Sequence, residues 1–303
     1  MSLEETAEDI RTMRIRGAGR IARAAAAALR DVASDSPASS PDELRAEFDR
    51  AFDLLASTRP TAVSLINGLR NVKAKSRWDG DLEDMRMSIR KAAEEFIQRS
   101  ELALETIGTY GSRRIKEGST ILTHCNSHAA LACILQAHRD GKRVKVFSRE
   151  SRPRYQGHIT SRELAKEGVD VTLIVDSAGW SFMKDVDLIF VGADTITSDG
   201  RVINKIGTAP LAILAHHASV PFMVCAESYK FSPDTLTGNV VEIEYRDPGE
   251  VADRNDFPGI NILNPAFDIT PAEYVTSIIT ELGIISPHAA YDIIVKEFPE
   301  QDG

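Results

Sequence analysis

Cysteine is scarce: the 303 residues include three, Cys125, Cys133 and Cys225. They are too few and too scattered for a disulfide framework, and none stands in a C-x-x-C or Cys/His cluster with metal-ligand spacing, which points to a reducing compartment. Positive charge is in deficit, 36 Lys and Arg against 45 Asp and Glu, for a formal net charge of −9. Such a field repels nucleic acid and anionic membrane, so any phosphate must be held by local sites. No apolar run approaches the length of a membrane span, and the start Met1-Ser2-Leu3-Glu4-Glu5 is acidic where a secretory signal is basic. The expectation is a soluble, cytoplasmic protein that binds neither nucleic acid nor membrane. An apolar share of 43% suffices for a real core, and the length fits two domains of ordinary size.

Strand signals are almost absent up to about Ile115. Apolar residues recur among charges at helical spacing, as with Phe48, Phe52 and Leu55, then Phe96, Leu102 and Leu104. Ser34 to Pro41 reads as a loop, and Pro41 after Ser40 as a capped helix start. From Gly118 short β-branched runs alternate with helical stretches: Thr120–Thr123, Val144–Phe147, Val171–Val175, Leu188–Val191 and Phe222–Cys225. Strands separated by helices predict βαβ units and a mainly parallel sheet. The fold class is therefore α/β, an N-terminal helical domain over 1–115 followed by a Rossmann-like domain over 116–303.

Cys125 stands where the strand Thr120–Thr123 gives way to an alanine-rich helix. The positive end of a helix dipole favours the thiolate and would lower the thiol pKa, although cysteine also packs commonly as a small buried hydrophobe. Asp194 closes the apolar run from Val186 through Gly192-Ala193 and so lies at a strand end. There it could hold a proton as a general acid or simply cap a turn. Small residues Gly17-Ala18-Gly19 after Arg16 precede a helix, a combination that suits a phosphate as well as an ordinary turn. Arg59 precedes Pro60 and is held away from helical geometry. A third arginine-bearing turn, Ser148 to Pro153, follows the strand Val144–Phe147, and structural salt bridges compete for all three. Asn204 and Lys205 pair a neutral donor with a cation, and Lys230 follows the strand Phe222–Cys225. For His124, His128, His216 and His217 a surface or supporting role is expected, since no spacing among them demands a metal.

Taken in order, these segments resemble the sugar-phosphate isomerases and regulatory subunits related to translation initiation factor 2B. The resemblance rests on Arg16-Gly17-Ala18, Thr58 to Val63, Cys125-Asn126, Arg152-Pro153 with Gln156-Gly157, Gly192-Ala193-Asp194, Asn204 to Thr208 and Asn264 to Pro271. Catalytic members of the family carry a cysteine and an aspartate at the positions of Cys125 and Asp194, which favours an enzyme over a regulatory subunit. Cys125-Asn126-Ser127-His128 departs from the Cys-Asn-Thr-Gly of methylthioribose-1-phosphate isomerases. Arg16 to Gly19, Thr123-His124-Cys125 with Ser127, and Tyr229-Lys230-Phe231 are more similar to the archaeal ribose-1,5-bisphosphate isomerases.

The resemblance implies an aldose–ketose isomerisation of a phosphorylated pentose, in nucleoside monophosphate degradation, with no metal or organic cofactor. Ring opening to an aldehyde would be followed by removal of the C2 proton by Cys125 thiolate and protonation by Asp194, through an enediol-type intermediate. Arg16 with the Gly17, Ala18 and Gly19 amides, together with Arg59, would hold one phosphate. The Ser127, His128 and Ala129 amides and Lys230 would serve the other phosphate or the sugar, and Asn204 and Lys205 would orient the reacting end. A homo-oligomer, dimer or hexamer, is implied as well, with AMP as a candidate activator.

Overall fold

The computed structural model describes residues 1–298. Contacts group the chain into two compact units, Met1–Ala103 and Leu104–Gly303. The first is helical: α1 (Leu3–Arg11), α2 (Ala18–Asp35), α3 (Pro41–Thr58), α4 (Val63–Lys75) and most of α5 (Leu82–Ser112). Ser40 caps α3 as its sequence suggests, its hydroxyl accepting the Glu43 N–H ahead of Pro41. Phe48, Leu55 and Phe96 are buried, whereas Leu102 is 59% exposed. The last turns of α5 pack with the second unit because Leu104 and Ile107 join its core.

In that unit β1 (Thr120–His124), α6 (His128–Arg139), β2 (Lys145–Arg149), α7 (Gln156–Lys166) and β3 (Asp170–Ile174) alternate. They are followed by the short α8 (Gly179–Phe182), β4 (Leu188–Gly192), β5 (Thr195–Ile196), β6 (Val202–Lys205), α9 (Thr208–His217) and β7 (Phe222–Cys225). The chain then forms β8 (Phe267–Thr270), β9 (Ser277–Thr280), β10 (Gly283–Ile285) and α10 (Ala290–Glu297). The main sheet runs β10-β9-β7-β4-β1-β2-β3, all parallel except β10. β4 is buried along its whole length, as expected for a parallel strand covered on both faces.

From β1 the chain winds outward through β2 to β3, then returns to lay β4 on the other side of β1. β1 and β4 therefore flank the switch point, and a ligand crevice opens at their carboxyl ends. Each of the five strands expected from sequence matches a strand of this sheet to within two residues at either end. A second sheet, β5-β6-β8, is antiparallel. It makes Asn204 and Lys205 the last residues of a strand.

Candidate active site

Cys125 follows β1 and Asp194 follows β4, so the two approach the crevice from adjacent strands. The electrostatic influences on the Cys125 thiol come from Lys205, Asp194 and Asp176. Lys205 enters from β6, its ammonium donating to the Ala266 carbonyl at 2.9 Å and standing over the Phe267 ring. The sheet edge thus gathers a thiol, a carboxylate and an ammonium.

The acidity of the thiol is opposite to that expected from its position. Cys125 does not lie within the first turn of α6, where Ser127 is the N-cap, but precedes it with φ 68. Burial pushes its pKa up to about 11, with Lys205 pulling down and the neighbouring carboxylates pushing up further. At neutral pH that shift keeps the group a thiol.

The remaining residues expected to bind substrate are divided between the two units. In the first unit, Gly17 (φ 86) is the N-cap of α2, whose first turn, with Ala18 and Gly19, carries no acid and no side-chain cap. Arg16 is exposed there, with Nε donating to the Met13 carbonyl at 2.8 Å. Arg59 ends α3 with φ −149, the non-helical backbone that Pro60 dictates. In the second unit, Ser127 accepts the Ala130 N–H at the start of α6, and His128 and Ala129 form the acid-free first turn. Gly192 permits this approach, since a Cβ there would lie 2.5 Å from Ser127 Oγ. Asn204 is buried and donates to Thr208 Oγ1 at 3.0 Å. Lys230 is buried too, its ammonium 2.7 Å from the Glu227 carboxylate. Burial opposes ionisation of Glu227, but the ammonium outweighs it and holds Glu227 below the ordinary carboxylate range.

Sequence reasoning missed most of a supporting layer. His124, expected in a surface or supporting role, is 1% exposed and takes the supporting one, bridging the Ile206 carbonyl (2.8 Å from Nε2) and Ser151 Oγ (3.1 Å from Nδ1). Ser151 Oγ also accepts the Cys125 N–H at 2.7 Å. Asp176 accepts the Ser151 and Arg152 N–H groups at 2.9 and 2.7 Å. Arg149 donates to the Gly207 carbonyl at 2.8 Å, and Asp268 accepts the Gly207 and Ala209 N–H groups at the start of α9. Burial raises Asp268 to about 6 against the pull of those amides. Asp268 lies in the segment Asn264 to Pro271 that already carried the resemblance, whereas nothing in the local sequence marks Asp176.

Fold and site together define a doubly wound α/β protein with a polar, thiol-bearing switch point. The chain belongs to the Initiation factor 2 subunit family, whose profile matches residues 14–287. It is 48% identical to the ribose 1,5-bisphosphate isomerase of Methanocaldococcus jannaschii, over 98% of this chain and 95% of that one. A methylthioribose-1-phosphate isomerase of Acetivibrio thermocellus is 37% identical over 97% of this chain and 90% of that one. Among solved structures, the Pyrococcus horikoshii OT3 translation initiation factor eIF-2B matches with a TM-score of 0.82 at 33% identity, covering 94% of this chain and 97% of its own.

Proposed function

We propose that this chain is an aldose–ketose isomerase that converts α-D-ribose 1,5-bisphosphate to D-ribulose 1,5-bisphosphate in nucleoside monophosphate degradation. The observation that carries the reading is the meeting of Cys125, Asp194 and Lys205 at the carboxyl ends of β1, β4 and β6. Higher identity to a ribose 1,5-bisphosphate isomerase than to a methylthioribose-1-phosphate isomerase supports the bisphosphate as substrate.

A substrate whose C1 oxygen carries phosphate cannot release a free aldehyde, so the intermediate is an enol phosphate rather than the enediol an aldehyde would give. Asp194 protonates the ring oxygen as the C1–O4 bond breaks and its electron pair goes to oxygen. Cys125 thiolate takes the C2 proton, and the C–H electrons become the C1=C2 bond. The Asp194 carboxylate then removes the O2 proton while Cys125 returns its proton to C1, forming the C2 ketone and restoring both residues.

Burial opposes the working thiolate of Cys125, and the Lys205 ammonium favours it. Arg16, the Gly17, Ala18 and Gly19 amides and Arg59 bind one phosphate. The Ser127, His128 and Ala129 amides and Lys230 serve the other phosphate or the sugar, and Asn204 and Lys205 orient the reacting carbons. A homo-oligomer, dimer or hexamer, and activation by AMP belong to the same reading; sedimentation and assay with and without AMP check them.

Assay of ribose 1,5-bisphosphate beside methylthioribose 1-phosphate tests the substrate, with turnover expected on the former. Cys125→Ser is expected to retain binding and lose turnover on the order of a thousandfold or more. Substrate deuterated at C2 is expected to pass its label through the Cys125 sulfur to C1 with part of it exchanged into water during the life of the intermediate; any exchanged label demonstrates proton transfer and excludes a hydride shift.

A further inference from the structure

Cys125 and Ser151 both take left-handed backbone, with φ of 68 and 62. For residues with a Cβ this backbone is disfavoured and persists only where surrounding contacts impose it. At Cys125 the contacts are specific. Its N–H donates to Ser151 Oγ at 2.7 Å, and its carbonyl accepts from Thr160 Oγ1 at 2.8 Å. Thr160 Oγ1 in turn accepts from Asn126 Nδ2 at 3.0 Å.

The bonds on the other side of Ser151 have a fixed direction. A carbonyl can only accept, so the 2.8 Å contact of His124 Nε2 with the Ile206 oxygen puts a proton on Nε2. In a neutral ring Nδ1 is then an acceptor, facing the Ser151 hydroxyl at 3.1 Å, whose one proton is shared between Nδ1 and the Arg149 carbonyl, also at 3.1 Å. The lone pairs of Ser151 Oγ are thereby left for the Cys125 N–H. The charged groups acting on the ring are Arg149 from β2, Asp176 after β3 and Lys205 from β6. Burial, with Arg149, lowers the pKa of His124 to about 4 and keeps it neutral. The absence of a side chain at Gly207 admits the ring, since a Cβ there would lie 3.1 Å from Nε2.

The geometry assigns His124 as a positioning residue: protonated on Nε2 alone, it ties the strand end that carries Lys205 to the strained backbone of Cys125 through Ser151. Its catalytic consequence rests on the reading of Cys125 as the base, while the bond chain itself does not. Lys205 and Ile206 are consecutive, so the ring links the backbone that carries the ammonium to the backbone that carries the thiol, while the ammonium itself is held by the Ala266 carbonyl. Misplacement of reacting groups by about 1 Å costs on the order of a hundredfold in rate.

Three measurements test this. In protein labelled with ¹⁵N-histidine, His124 is expected to carry its proton on Nε2 and not to titrate between about pH 5 and 8. A proton on Nδ1, or titration near the ordinary value of 6.5, would overturn the assignment. His124→Gln keeps a donor for Ile206 and His124→Asn keeps an acceptor for Ser151, so each retains half of the bridge. Both are expected to lower kcat on the order of a hundredfold with KM little changed, and unaltered kcat in both would overturn the proposal.

The rate of Cys125 alkylation without substrate, with Cys125→Ser as the blank, is expected to change in both variants. If Cys125→Ser stays active while the tautomer and the alkylation shift are as expected, the base assignment fails and the positioning role stands. If Cys125→Ser is inactive but neither His124 variant alters kcat or alkylation, the positioning role fails alone.

Discussion

At Cys125, chain position and burial pull in opposite directions. A thiol near a helix start reads as a thiolate, but α6 begins beyond it and burial keeps the sulfur protonated. The sequence could locate the residue and not the dielectric around it, because the groups that set its acidity, Lys205, Asp194 and Asp176, come from distant segments. Lys230 makes the same point. It was legible as a loop cation, yet its ammonium is paired with Glu227, with side-chain exposures of 7% and 4%. Removing one partner of a buried pair leaves an uncompensated charge, so Lys230→Ala is expected to cost about 3 to 5 kcal/mol in denaturant unfolding. If Lys230 also holds substrate, KM rises in whatever fraction remains folded; unchanged stability would remove the pair from its structural role.

Elements with strong periodicity or clean caps were legible: α3 begins at Pro41, and β7 spans Phe222–Cys225 as read. The second sheet was not. β5 has two residues, and β6 and β8 contain Asn204, Lys205 and Asp268, whose polarity suits a turn until the strands pair with each other. Junctions between elements are set by close approach. Gly157 in the first turn of α7 lies so near β2 that a Cβ would fall 1.7 Å from the Arg149 carbonyl oxygen. A backbone atom cannot step aside as a side-chain tip can. Gly157→Ala is therefore expected to destabilise by about 3 kcal/mol or more, read as a lower Tm, with activity reduced through displacement of Arg149 and Ser151.

For the molecule as a whole, stability should respond to pH asymmetrically. The pKa of Cys125 is raised from 9.0 to about 11, so its contribution is full below 9.0 and lost as pH rises toward 11. Burial raises Cys225 in the same direction. On the acid side two groups oppose each other. His124 falls from 6.5 to about 4 and loses stability as pH drops through that window, whereas Asp268 rises from 3.8 to about 6 and gains it. The Tm is expected to decline more steeply above pH 9.0 than between pH 6.5 and 4, and less steeply at the alkaline end in Cys125→Ser. Equal alkaline slopes in the two proteins would show that Cys125 is not the group responsible. Among the described residues no helix is long and apolar enough to cross a membrane, in line with the absence of long apolar runs. The sequence by itself determined the α/β class, five of the strands of the main sheet and the position of Cys125 and Asp194 at strand ends, because periodicity and punctuation are local properties. Only the tertiary structure decided that the thiol is protonated, that Lys230 is paired and that His124 spans from Ile206 to Ser151, because burial and hydrogen-bond partners depend on residues brought together from remote parts of the chain.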